Sequence, residues 1–278
     1  MNIREIVARA LAEDLGTGDV TTQALFATAV PASGTIISEE RGWLVLAGLA
    51  VAVEVFTQVD QSLACSPSFA DGDRIPAGAT VLTVTGDGRS MLKGERVALN
   101  FLQRLSGIAT LTAKFCDAVK GFKTRIADTR KTMPGLRALE KWAVTLGGGS
   151  NHRYGLADGI LIKDNHLALS GGDVARACRL ARERVPHGLK VEVEVQSLEA
   201  VQAALDGGAD IILLDNMEVP AIRKAVELIK GRATVEVSGG VTLSNVREIA
   251  AVGPDLISVG ALTHSAMAVN LSMDIVPK

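Results

Sequence analysis

Apolar positions at helical spacing open the chain. Ile3, Ile6, Val7, Ala10 and Leu11 fall on one face of residues 2–14 and predict an amphipathic helix. The pattern stops at EDLGTGDVTT, where Gly16 and Gly18 permit a tight turn and Asp19 or Thr21 can satisfy free backbone amides. GTIISEE and WLVLAG then read as strands, residues 47–58 as a helix, and DGDRIPAGATVLTVTGDG as turns around a further strand. The next helix, 91–105, turns Val97, Ala98, Phe101, Leu102 and Leu105 inward. It leaves Arg96, Asn100 and Arg104 at four-residue spacing on another face, where an arginine is ordinarily a solvated charge.

From about residue 106 the pattern becomes a strand–helix cadence. Strand-like runs end near Asp128, Lys163, Glu194, Asp215, Ser238 and Gly260, with helices expected over 173–184, 197–207, 218–230 and 242–252. Strands that are apolar throughout but end in a polar residue predict a parallel sheet buried on both faces. So many regular units favour closure into a barrel over an open sheet. In KVEVEV, alternation sets Lys190, Glu192 and Glu194 on one face and Val191, Val193 and Val195 on the other, with the polar file inside. The expected organisation is a small α/β domain over residues 1–105 and a barrel domain over 106–267, with the tail 268–278 able to rejoin the first.

Composition narrows the function. With 47% hydrophobic residues in 278, the chain is globular and can bury a sizeable core. A net charge of −2 gives no general attraction to nucleic acid or anionic lipid, and 3% aromatic residues leave little for base stacking, so no nucleic-acid partner is expected. The N-terminus carries no signal-peptide apolar block. The longest apolar run, Trp43 to Val53, is interrupted by Gly48 and falls short of the ~18 residues a membrane span needs. A soluble, cytoplasmic protein without membrane contact is expected. Cys65, Cys116 and Cys178 are odd in number and widely spaced, which suits reduced thiols rather than a disulfide framework or zinc.

The chemistry concentrates between Asp128 and His166. Arg130, Lys131, Arg153 and Lys163, with His152 and His166, stand among turn glycines and strand ends, where a cation meets an anion in the crevice beyond the sheet. Glu194 and Asp215 end the next two strands. Such a pair can hold a water-bound Mg²⁺, bind ribose hydroxyls, offset positive charge on a sugar, or form a salt bridge to Lys163 or Lys131. The loops Ser238-Gly239-Gly240 and Val259-Gly260-Ala261 follow the last two strands, where backbone amides can approach a phosphate. Gly147 to Gly149 belong to no dinucleotide or Walker pattern, and no nucleophile elbow is present. His187 and His264 read as structural, whereas His152, in a glycine-rich loop, is a candidate ligand. These residues describe an enzyme for a phosphorylated, multiply anionic substrate, using Mg²⁺.

EDLGTGDVTT, GERVALNFLQRLSGIAT, DTRKTMPGLRALEKWAV, GGGSNHRYGLADGILIKDNH, VEVEV, IILLDN, SGGVT and SVGALTHS occur in the order of the quinolinate phosphoribosyltransferase family, which the chain resembles over nearly its whole length. Trp142, where that family often has tyrosine, is a minor departure. The resemblance implies an N-terminal α/β sandwich with a C-terminal incomplete (β/α) barrel of the type II phosphoribosyltransferase kind. It implies quinolinate and 5-phosphoribosyl 1-pyrophosphate as substrates, Mg²⁺ as cofactor, and a homodimer or larger assembly with shared active sites. Arg130, His152, Arg153 and Lys163 would form the quinolinate pocket, joined by Arg96 from a neighbouring subunit. Thr129 and Lys131 would contact substrate, Lys131 both of them, and Glu194 and Asp215 would serve metal and ribose. The loops 238–240 and 259–261 would hold the 5′-phosphate. A paralogue with another acceptor and a non-catalytic phosphosugar sensor are the rival expectations.

Overall fold

The structure, a computed structural model, describes residues 2–278. In chain order its elements are α1 (Ile3–Leu15), α2 (Val20–Leu25), β1 (Pro31–Ser38), β2 (Trp43–Val45), α3 (Leu49–Val59), β3 (Ala64–Pro67), β4 (Arg74–Pro76), β5 (Thr80–Asp87), α4 (Gly88–Ala118), β6 (Arg125–Ala127), α5 (Arg137–Leu146) and β7 (Ile160–Ile162). There follow α6 (Asp164–Leu169), α7 (Val174–Arg184), β8 (Val191–Val195), α8 (Leu198–Asp206), β9 (Ile211–Asp215), α9 (Val219–Ile229), β10 (Thr234–Ser238), α10 (Val246–Val252), β11 (Leu256–Ser258), α11 (Ala261–His264) and β12 (Leu271–Pro277). The chain forms two compact units. The first takes residues up to Ala113, Thr132–Gly148 and Leu262–Lys278, and the second takes Lys114–Lys131 and Gly149–Ala261. α4 therefore runs straight across the line expected at residue 105.

In the first unit, β12, β1, β5 and β3 form a four-stranded antiparallel sheet in that order, with β2 and β4 as a separate pair. Along β1 burial alternates, so Ala32, Ile36 and Ser38 face inward while their neighbours are more exposed. α1 packs on α3, and Phe56, Leu44, Leu82, Leu102 and Leu105 are fully or almost fully buried. The turn at Gly16 and Gly18 leads into α2, a helix the hydrophobic pattern did not announce. Its N-cap is Asp19, whose carboxylate accepts the Thr22 N–H at 3.0 Å. α4 is twice the expected length because its buried stripe continues through Ile108, Ala109, Ala113 and Phe115. Gly107 does not end it. A Cβ there would lie 2.1 Å from the Met267 carbonyl oxygen, so this glycine permits a close backbone approach.

The second unit is a six-stranded parallel sheet in the order β6-β11-β10-β9-β8-β7. The order is that of a barrel read around its wall, but among the described residues β6 and β7 do not pair with each other. The expected barrel is thus incomplete, with a seam between those strands. Ser150 partly fills it: it bridges to Ala127, donates its N–H to Ile126 O at 2.8 Å and accepts from Asp128 N–H at 3.0 Å. The outer faces of β8 to β10 present Val191, Val193, Val195, Ile212, Leu214, Val235 and Val237, all buried. Register pairs Asp215 with Ser238 and Ser238 with Ser258, so the C-terminal ends of β9, β10 and β11 lie level on one rim.

Candidate active site

On that rim a cavity of about 320 Å³ is lined by Thr129, Arg130, Lys131, His152, Arg153, Lys163, Glu194, Asp215, Asn216, Glu236, Ser238 and Ser258, with Leu161 and Leu213 as apolar floor. Strand order sorts these groups into sectors. Cations come from the β6 end (Arg130, Lys131), the seam segment (Arg153) and the β7 end (Lys163). Carboxylates come from β8 (Glu194) and β9 (Asp215), and the glycine loops follow β10 and β11.

Each cation is placed by its local chain. The Thr129 hydroxyl accepts the Lys131 N–H at 3.0 Å, a turn that leaves Lys131 exposed beyond the strand end. Arg153 donates from Nη1 to Gly159 O at 3.1 Å, while its buried Nε finds no hydrogen-bond partner among the described residues. Burial first, and then the charge of nearby Arg130, hold the Arg153 guanidinium below its ordinary pKa. Two neighbouring guanidiniums have the chemistry to bind an anion with more than one charged group. The Lys163 ammonium forms an ion pair with Glu194, so the interior salt bridge and the open carboxylate, both allowed by the sequence, concern the same residue. His166 is not in this cavity: its Nδ1 accepts the Lys163 N–H at 2.9 Å and caps α6.

Asp215 Oδ2 accepts from Asn216 Nδ2 at 2.7 Å and from Gln196 Nε2 at 3.3 Å, which fixes its carboxylate plane. Asn216 itself has φ 53, and a Cβ on Gly239 would fall 2.2 Å from its side-chain oxygen. The β9 and β10 loops therefore interlock at a point only glycine fits, with φ 86 at Gly239 and 62 at Gly240. Val259 is buried and donates its N–H to Ala127 O at 2.9 Å, so it has no amide to offer a ligand. Gly260 and Ala261 stand at the start of α11. Arg96 belongs to the first unit, on α4, and is exposed.

Below the cations lies a group the sequence reading left incomplete. His152 donates its backbone N–H to Asp128 Oδ1 at 2.8 Å, and Asp128 is fully buried. Its ring Nε2 lies 3.3 Å from Glu192 and 3.4 Å from Glu236, and the Ser258 hydroxyl donates to Glu236 Oε1 at 2.5 Å. Burial, and then the adjacent charge of Glu236, raise the Glu192 carboxyl above its ordinary value against the opposing hydrogen bond from His152. Burial lowers the proton affinity of His152, while the hydrogen bonds and charges of the two carboxylates raise it; their pull acts at Nε2, whereas the proton that would charge the ring has to go to Nδ1, where the Arg153 N–H opposes it. At the other nitrogen, Nδ1 accepts the Arg153 N–H at 2.8 Å, which favours a ring with that position bare. A proton on Nδ1 would point at this donor, so the geometry assigns the proton to Nε2. Glu236 was legible in principle, because TVEVS repeats the alternation of VEVEV one strand-pair away.

The chain matches the family described as quinolinate phosphoribosyl transferase, N-terminal domain, over residues 19–106, and the corresponding C-terminal domain over 108–274. It is 38% identical to the probable nicotinate-nucleotide pyrophosphorylase [carboxylating] of Bacillus subtilis, covering 99% of this chain and 94% of that protein. It is 43% identical to the nicotinate-nucleotide pyrophosphorylase [carboxylating] of Mycobacterium leprae, covering 98% and 96%. The crystal structure of NadC from Streptococcus pyogenes superposes with a TM-score of 0.94 at 42% identity, covering 100% of this chain and 97% of that one. A human nicotinic acid phosphoribosyltransferase, 13% identical with a TM-score of 0.65, shares the fold.

Proposed function

Because the chain belongs to the quinolinate phosphoribosyl transferase family, we propose that the cavity on its barrel rim joins quinolinate to 5-phosphoribosyl 1-pyrophosphate. The products are nicotinate mononucleotide, pyrophosphate and CO₂, a step of NAD biosynthesis. The observation that carries the reading is the sorting of the rim, with four cations contiguous on the seam side, two carboxylates next to them and glycine loops beyond. Arg130, Arg153 and Lys163 suit a planar dicarboxylate, with Arg96 lent by a second copy in a homodimer. His152 supports this pocket from below. Thr129 faces substrate, Lys131 faces both substrates, and the 5′-phosphate takes amides of Ser238, Gly239, Gly240, Gly260 and Ala261.

Glu194 and Asp215 are all-oxygen donors beside the Asn216 amide, a set that fits a hard divalent cation such as Mg²⁺ directly or through water. When bound there, the ion would supply positive charge against the pyrophosphate. The chain's own residues do the rest. Lys131 neutralises the departing pyrophosphate as the C1–O bond breaks and its electron pair goes to oxygen, while the Asp215 and Glu194 carboxylates tolerate oxocarbenium character at C1. Arg130 and Arg153 orient the acceptor so that the pyridine nitrogen lone pair forms the new bond to C1. The positive charge on the resulting pyridinium nitrogen stabilises the carbanion left at C2 when the adjacent carboxylate leaves as CO₂, and that electron pair then takes a proton from water. No covalent enzyme intermediate is needed. A cytoplasmic location belongs to the same reading, in keeping with three free thiols.

The test is an assay with 5-phosphoribosyl 1-pyrophosphate and Mg²⁺, offering quinolinate or nicotinate and detecting nucleotide and CO₂. Product and CO₂ from quinolinate alone are expected. Product from nicotinate would mean that the four-cation sector serves a monocarboxylate, and silence with both would overturn the reading.

A further inference from the structure

Beside the backbone hydrogen bonds of Ser150, the seam segment sends the His152 side chain across the barrel interior. The backbone of 150–152 lies along β6, and from there the His152 ring enters the barrel interior to reach Glu192 on β8 and Glu236 on β10, with Ser258 of β11 behind Glu236. A second cavity of about 320 Å³ lies toward the N-terminal ends of the strands, bounded by Ile160, Ile211 and Leu256, and it shares His152, Arg153 and Glu236 with the rim cavity. The polar cluster is therefore the partition between two spaces, at a depth where barrels of this kind usually carry layers of apolar side chains. Two carboxylates 5% and 1% exposed are costly to bury. An apolar pair would close the seam as well, unless the group they hold must stand in one orientation.

We propose that Glu192 and Glu236 are positioning residues for the acceptor site. They fix the plane and tautomer of His152, and through its bare Nδ1 they fix the Arg153 peptide, so that the Arg153 guanidinium is presented to the rim cavity. The inference rests on the assignment of Arg153 to the acceptor. The chain of contacts is continuous: carboxylates to Nε2–H, then Nδ1 to the Arg153 N–H at 2.8 Å, with the next residue's side chain in the cavity. The ring cannot rotate without breaking bonds at both nitrogens. The same three side chains place their ligand atoms within 4.8 Å of one another, as a metal site would. A metal at Nε2 would require the proton on Nδ1, facing the Arg153 N–H, so the hydrogen-bonded arrangement and a metal centre are mutually exclusive.

Two measurements test this. With four histidines in the chain, ¹⁵N-histidine labelling of the whole protein, assigned with His152→Asn, reads the ring directly by NMR. A neutral His152 with its proton on Nε2 at pH 7 is expected; an imidazolium, the opposite tautomer, or perturbation by stoichiometric added Zn²⁺ would overturn the proposal. This reading needs no turnover, so it stands apart from the outcome of the quinolinate assay. In kinetics, Glu236→Leu should raise the KM for quinolinate about tenfold or more while the KM for 5-phosphoribosyl 1-pyrophosphate moves less than about twofold. Glu236→Gln, which keeps an acceptor for Nε2–H, should recover most of the loss. Equal changes in both KM values, or a loss of stability with quinolinate KM unchanged, would show a merely structural cluster.

Discussion

Arg104 offers a sharp test of how the first unit is held together. Glu140 is fully buried, and Arg104 meets it with Nη2 at 2.8 Å and Nε at 3.2 Å. The remaining oxygen of Glu140 accepts the Met133 N–H at 3.1 Å, and the guanidinium also donates to Ala266 O at 3.1 Å and to Thr263 O. One side chain thus ties α4 to α5 and to the segment leading into β12. Arg104→Met leaves a buried carboxylate without its counter-charge, with the Met133 N–H still donating to it, which costs roughly 3–5 kcal/mol. For a chain of this size that corresponds to a fall in Tm on the order of 10 °C. Urea unfolding followed by circular dichroism should show a lower midpoint with an unchanged slope. The double variant Arg104→Met with Glu140→Met should be more stable than Arg104→Met alone, because the unpaired charge is gone. If Arg104→Met cost less than about 1 kcal/mol, as an exposed pair would, or if the second substitution gave no recovery, the reasoning would fail.

Lys131→Ala should lower kcat by about 10²-fold or more with the protein still folded, since the lysine is exposed and contributes charge rather than packing; near-normal turnover in the quinolinate assay would remove it from the site. Gly239→Ala places a methyl 2.2 Å from Asn216 Oδ1 at a φ of 86. The strain, about 1–3 kcal/mol, should appear as a raised KM for 5-phosphoribosyl 1-pyrophosphate with less effect on quinolinate, and steady-state kinetics with each substrate varied in turn will show it. Asp87, where α4 begins, has its carboxyl lowered to about 2 by the Arg89 side chain first, with the Val30 and Arg89 amides adding against the cost of burial. Since the folded value lies below the ordinary one, its stabilisation is present above about pH 4 and disappears as pH falls through about 2. Asp87→Asn should therefore cost about 1 kcal/mol after solvent screening at pH 7 and only a small part of that near pH 2, as urea midpoints at the two pH values would reveal.

Local patterns were legible where one face of an element meets the core. The stripe on α4 and the alternation in β8 follow from periodicity alone, and both faces pack as that periodicity requires. β3 was not seen because ACSP is mostly exposed and carries no alternation. The end of α4 was misplaced because Ser106 and Gly107 resemble a helix stop, while the reason for the glycine, the Met267 carbonyl, lies far along the chain. The same limit separates two arginines of one helix face. Arg96 and Arg104 have equal local context, yet only the second has a buried carboxylate waiting for it, from a residue whose position depends on the tertiary fold. His152 shows the limit at the site itself. Its neighbours in sequence marked it as a ligand, but what fixes both ring nitrogens includes carboxylates from β8 and β10, and no spacing rule reaches that far.

The pairing of β12 along the whole of β1 has a consequence for how the chain is made. A ribosome releases β1 early and β12 only after every strand of the barrel. During that interval the β1 edge is a row of unsatisfied donors and acceptors, open to any extended segment nearby. The first unit then cannot be finished in vectorial order, however well its early residues fold; the nascent polypeptide must hold that edge apart from its neighbours until the final strand arrives.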